Sequence, residues 1–121
     1  MNRNKITGDN GENMAIDYLK NKGYEIRFSN WRTGHLEVDI IAEKDGILCF
    51  IEVKTRHSDD GIYEEDVLSD QKKERLIEAA EIFIDEKNIK NEIRFDLIFI
   101  ILQNRIQKIR HIEDAFTHDI L

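Results

Sequence analysis

The sequence predicts an α/β domain around a mixed sheet, with elements ordered α-β-β-β-α-β and one further strand. Three observations carry that reading. Two stretches, near residues 10–22 and 70–87, hold apolar residues at helical spacing. Two runs of β-branched and aromatic residues flank Asp45-Gly46, a strong signal for a two-residue hairpin turn. The run Glu92–Leu102 alternates and then turns apolar on both faces, as a strand with neighbours on each side must.

Residues 1–8 are polar and read as a loose lead into the domain, which takes in the whole chain, 1–121. Asp9 or Asn10 can cap a helix running to about Lys22, and Gly23 stands where a left-handed C-terminal residue is wanted. Met14, Ala15, Tyr18 and Leu19 form its apolar stripe. Glu12 falls in its first turn, where negative charge suits the helix dipole. Tyr24–Arg32 alternates Tyr24, Ile26 and Phe28 against polar residues and reads as a half-buried strand. Asn30–His35 then turns the chain into the hairpin. Trp31 is read as a sheet-edge anchor ahead of a base-stacking residue.

A polar stretch of about ten residues follows Arg56, a length often given to function. Ser69 looks like the N-cap of a helix over Asp70–Lys87, with Leu76, Ala80, Phe83 and Ile84 on its buried side. Lys72, Lys73 and Arg75 crowd its first turns against the helix dipole, which suits an anionic partner. Arg105–Ile112 is a weaker strand, and residues 113–116 make a short helical turn that docks Phe116. Arg94-Phe95-Asp96 pairs charges at a strand edge and sends Phe95 into the core.

The hairpin register is where chemistry enters. If Asp45 and Gly46 are the central turn residues, Lys44 faces Ile47, Asp39 faces Glu52 and Glu37 faces Lys54. Residues two apart share a face, so Glu37, Asp39, Glu52 and Lys54 would point to one side. Two carboxylates facing across strands are destabilising unless a cation or a proton lies between them. Mg²⁺ takes one or two carboxylates plus water and phosphate oxygens, so Asp39 and Glu52 can hold one cation. Lys54 beside them can handle a proton or steady transition-state charge, which completes the parts for metal-assisted phosphodiester hydrolysis. Arg56, Lys72 and Arg32 are candidate phosphate contacts.

Composition limits the alternatives. The net charge of −7 argues against coating nucleic acid through bulk charge, and leaves room for a local basic patch. No apolar run approaches the ~20 residues that span a bilayer, and no signal core follows the basic N-terminus. A cytoplasmic protein with no membrane partner is expected. Cys49 is the sole cysteine, on the strand face opposite Glu52, and reads as a small buried hydrophobe.

Further pieces surround the hairpin: Gly11-Glu12, Gly23-Tyr24, Asn30-Trp31-Arg32, Glu37–Ala42, Phe50–Arg56, Arg94-Phe95-Asp96, His111-Ile112 and Ala115-Phe116. Together they resemble the UPF0102, or YraN-like, family. The Asp–hairpin–Glu-x-Lys pattern also resembles the restriction-endonuclease-like, PD-(D/E)xK, nuclease superfamily, with its Holliday-junction-resolvase-like members. The resemblance implies a restriction-endonuclease-like fold and a Mg²⁺- or Mn²⁺-dependent endonuclease acting on nucleic acid. DNA, branched or structured forms included, is favoured over RNA, and a homodimer is one arrangement open to it. It implies Asp39 and Glu52 as metal ligands, Glu12 as a further metal-shell acid, and Lys54 as the catalytic lysine. Val38 stands where the superfamily's name has proline, and Leu36 where many relatives have glycine. The alternatives are an inert nucleic-acid-binding module on the same fold, or a protein-interaction scaffold.

Overall fold

The computed structural model describes residues 3–57 and 68–116. Helix α1 (Arg3–Asn21) leads into β1 (Glu25–Thr33), β2 (Leu36–Lys44) and β3 (Ile47–Arg56). Helix α2 (Asp70–Lys87) follows, then β4 (Glu92–Gln103) and β5 (Ile106–Ile112). The five strands form one sheet in the order β1-β2-β3-β4-β5, antiparallel except for the parallel pair β3–β4. The expected α-β-β-β-α-β order is present, with the fifth strand at the edge.

The two helices cover opposite faces. Ala15 and Leu19 of α1 pack against Ile40, Ala42, Cys49, Ile51, Ile98 and Ile100. Leu76, Ala80 and Phe83 of α2 pack against Leu36, Val38, Ile41, Leu48, Phe50 and Phe95. A third cluster of Leu68, Leu97, Phe99 and Ile101, with Phe116 beside it, extends the core. Phe116 stacks on Phe95 at 4.9 Å, so the docking of the C-terminal turn is as expected. Trp31 meets Phe83 edge-on at 5.2 Å, the anchoring role.

Local signals placed several boundaries. Ser69 caps α2 by accepting from the Lys72 N–H, and the helix spans the predicted residues. Asp45 and Gly46 have φ of 53° and 79°, the left-handed pair of a type I′ turn, and Lys44 pairs with Ile47 as counted. Gly23, at φ 92°, ends α1: its N–H bonds Lys20 O and the Tyr24 N–H bonds Leu19 O, a Schellman closure.

Other expectations fail. Helix α1 begins at Arg3, not after Asp9 or Asn10, so residues 3–8 continue it and Glu12 lies in mid-helix. The dipole account of Glu12 is lost. What holds Gly11 inside the helix is close approach: a Cβ there would lie 2.5 Å from Thr55 Oγ1 of β3. Strand β1 continues through Asn30 to Thr33, leaving only Gly34-His35 as the turn. Its alternation breaks twice. A bulge at Arg27 shifts the register between Ile26 and Phe28, so Ile26 packs on the α1 side while Phe28 reaches Phe83 of α2. Asn30 then adopts a left-handed φ of 52°. The polar stretch after His57 lies outside the described residues.

Candidate functional site

Strand β2 changes face at Asp39. Leu36 and Val38 pack with α2, whereas Ile40 and Ala42, at the same parity, pack with α1. The β2–β3 ladder ends at Ile40–Ile51. The next β3 donor in that direction, the Val53 N–H, bonds Asp39 Oδ2 at 2.9 Å. A carboxylate has thus taken the place of a ladder carbonyl, and the strands part there. Strand β3 continues past that point, paired with β4 along its whole length to Arg56.

On the α2 side of β3, Glu52 is only 8% exposed. Its Oε1 accepts from two ammonium groups, Lys54 Nζ at 3.0 Å and Lys72 Nζ at 2.9 Å. Lys72 arrives because Ser69 starts α2 three residues earlier, which sets the first turn of the helix over the end of β3. The expected Glu37–Lys54 pair does not form. Glu37 instead meets Arg32 of β1 at 3.3 Å, across the register pair Arg32–Glu37.

The electrostatics follow from that arrangement. Burial, then the neighbouring Glu52 carboxylate, pushes the Asp39 carboxyl up to about 7 against the pull of the Val53 N–H, with Glu12 and Glu37 adding to the rise. Burial and the adjacent Lys72 hold Lys54 below the ordinary lysine range, although Glu52 pulls the other way. Burial disfavours the Lys72 ammonium too, but Lys54 and Glu52 outweigh it and its pKa is raised.

Asp39, Glu52, Lys54 and Lys72 are therefore brought together. Glu12 lies near enough to raise Asp39, but its Oε2 accepts from Asn30 Nδ2 at 2.9 Å. Arg32 lies out on β1 with its side chain 71% exposed. Arg56 donates to its neighbour's Thr55 carbonyl at 2.9 Å, at the end of β3. Among the described residues no three His, Cys, Asp or Glu side chains converge as a metal centre. Two carboxylates remain, which is a donor set that Mg²⁺ accepts when water and phosphate oxygens complete it.

A cleft of about 160 Å³ opens beside Glu52 toward α2, lined by Leu36, Leu68 and Leu76 together with His35, Glu37, Lys72 and Arg75. Sequence reasoning did not assign His35 or Arg75 to it. Arg75 was readable as one helical turn beyond Lys72, but His35 comes from a hairpin tip whose position depends on the breaks in β1.

The opposite sheet face carries a second polar cluster. Asp96, fully buried, accepts two bonds from Arg94, at 2.8 and 2.9 Å, and one from the Asp114 N–H at 3.0 Å. Its Oδ2 lies 2.7 Å from His111 Nε2, and Tyr18 Oη lies 3.2 Å from Nδ1 of that ring. The charge pair expected of Arg94 and Asp96 is present, though deep in the fold. Burial disfavours the Asp96 carboxylate, yet His111, Arg94 and the Asp114 N–H hold its pKa below the usual range. Buried Cys49 is pushed up to about 12, mainly by desolvation, so it stays a thiol.

Residues 11–100 match the family described as Uncharacterised protein family UPF0102. The chain belongs to that family. A UPF0102 protein of Bacteroides fragilis is 40% identical over 116 residues, covering 96% of each chain. Another, of Flavobacterium psychrophilum, is 39% identical over 111 residues, 92% of this chain and 93% of its own. One of Persephonella marina is 36% identical over 115 residues, 94% and 96%. A crystal structure titled for SSO0001 is similar at 19% identity and a TM-score of 0.49, over 95% of this chain and 54% of that one. The UPF0102 match spans the whole of β2 and β3, and so includes Asp39, Glu52 and Lys54, and it reaches Lys72.

Proposed function

We propose that this UPF0102 protein is a metal-dependent nuclease of restriction-endonuclease-like type, hydrolysing phosphodiester bonds in nucleic acid, DNA before RNA. The observation that carries the reading is the convergence of Asp39 and Glu52, with Lys54 and Lys72, where β2 and β3 part. An Asp39 carboxyl whose proton affinity is raised by burial and by the Glu52 charge marks a site short of positive charge. Asp39 and Glu52 would hold Mg²⁺ or Mn²⁺, and Glu12, whose charge adds to the rise of Asp39 while its Oε2 accepts from Asn30, would be the further acid. A divalent cation there supplies Lewis-acid charge at a scissile phosphate.

The chain's own residues supply the rest. Lys54, held below the ordinary lysine range, is suited to holding a water at Nζ and exchanging a proton with it. Lys72 keeps its charge and faces the same carboxylate, so it is placed to meet phosphate oxygens. The Val53 N–H holds the Asp39 carboxylate at the strand gap.

Purified protein with Mn²⁺ and branched, single-stranded and duplex DNA tests this. Cleavage by the wild type should fall roughly a hundredfold or more in Glu52→Gln and in Lys54→Ala. Equal cleavage by all three proteins would assign the activity to a contaminant and sink the reading. The alternative, a binding module without turnover, is favoured by one fact: both lysines already neutralise Glu52 without a cation. Calorimetric titration with Mn²⁺ separates them, since the nuclease binds metal in an Asp39- and Glu52-dependent way.

A further inference from the structure

Resting on the nucleic-acid reading above, the geometry points to a seat for one unpaired nucleobase in the cleft between β2 and α2. The site's substrate is then a strand with a splayed nucleotide beside the scissile phosphate, not a continuous duplex.

Three features of the cleft support that occupant. The first is size: its volume is about 160 Å³, and an apolar protein cavity of about 150 Å³ is known to admit one aromatic ring. The second is lining. Leu36, Leu68 and Leu76, each at most 5% exposed, give an apolar floor for a ring. Arg75, His35 and Glu37 stand exposed at the rim, and Glu52 and Lys72 close the wall toward β3. An apolar bed flanked by Lys72 and Arg75 suits a base whose faces are apolar and whose sugar carries phosphates on either side. The third is continuity. Glu52 and Lys72 belong both to this cleft and to the carboxylate-lysine cluster, so a base seated here has its phosphate at that cluster. A base within a duplex is stacked and paired, and cannot reach such a floor without leaving the helix.

Methyl and amide resonances of the full chain, followed in Mg²⁺ during titration with deoxyadenosine 5′-monophosphate or deoxyribose 5-phosphate, test the seat. The nucleotide should shift the methyl signals of Leu36, Leu68 and Leu76 and bind about tenfold more tightly than the sugar phosphate. Arg75→Ala, a change at an exposed position, should weaken the nucleotide severalfold and leave the amide signals of β4 and β5, away from the cleft, at their native positions in the free protein. If the two compounds bind alike, or neither shifts the three leucines, the seat is overturned. The two proposals fail separately. Base-dependent shifts with no cleavage of any DNA leave the seat standing and remove the nuclease, whereas cleavage without base-dependent shifts does the reverse.

Discussion

At Asp39 three influences compete: burial and the Glu52 charge both favour the protonated acid, and the Val53 N–H favours the anion. The first two win, and the carboxyl titrates near 7 in the fold against about 3.9 in an unfolded chain. The folded state therefore binds the extra proton between those values, and its stability falls as pH rises from about 4 to about 7. Above pH 7 the loss is complete. Asparagine at this position can still accept from the Val53 N–H and has no charge to desolvate. Asp39→Asn should accordingly be more stable than wild type at pH 8, by roughly 1–2 kcal/mol after allowance for solvent screening, and indistinguishable from it at pH 4. Thermal melts across that range read the difference directly. A wild type whose melting temperature rises through the same window, relative to Asp39→Asn, would show that Asp39 is ionised and compensated in the free protein.

Among the elements, the contact of α1 with β3 is the tightest statement about how the site is held. Gly11 lets the helix backbone come down on Thr55, three residues along the strand from Glu52. Gly11→Ala would set a Cβ 2.5 Å from Thr55 Oγ1, and the overpacking should cost about 1–3 kcal/mol. Thr55→Ala removes the obstructing oxygen, so the double variant should recover most of that loss, giving a coupling energy of about 1 kcal/mol or more in denaturant unfolding. Additive losses would mean that helical propensity and cavity effects dominate, not contact. This pair also shows what pattern reading can and cannot reach. The Asp45-Gly46 turn, the Ser69 cap and the Gly23 terminus were readable because each depends on backbone conformations that few residues adopt. Asp9 and Asn10 read as N-caps because their side chains suit that position, yet α1 starts at Arg3 and runs through both. The strand alternation was sound until Arg27, Asn30 and Asp39, where a bulge, a left-handed asparagine and a change of face re-aim the side chains. The proximity of Asp39, Glu52 and Lys54 is legible in the sequence because the tight turn fixes their neighbourhood. Their partners are not: Glu52 takes Lys72 from another element, and Glu37 turns to Arg32 on β1, contacts that no local pattern encodes.

On the scale of the whole molecule, a net charge of −7 and the grouping of Lys54, Lys72 and Arg75 around Glu52 make opposite demands on a polyanionic ligand. The Debye length is ≈ 8 Å at physiological salt and ≈ 30 Å at 0.01 M. Distant carboxylates are therefore screened from a bound strand in the first case and repel it in the second. Lys54, Lys72 and Arg75 can neutralise about three phosphates, and each contributes about −0.7 to the salt slope of single-strand binding. With Mg²⁺ held constant, the plot of log affinity against log salt for a single-stranded oligonucleotide should have a slope of about −2 near physiological salt. Toward low salt it should flatten, as repulsion from the acidic body offsets the gain from those three side chains. Arg75→Ala should make the slope shallower by about 0.7 without moving the low-salt bend, because the bend belongs to the body and the slope to the cleft. Fluorescence anisotropy over about 0.02–0.3 M salt measures both quantities. A slope steeper than about −5 with no bend would require phosphate contacts spread across the surface. In that case Lys72 and Arg75 would be a small part of a broad interface.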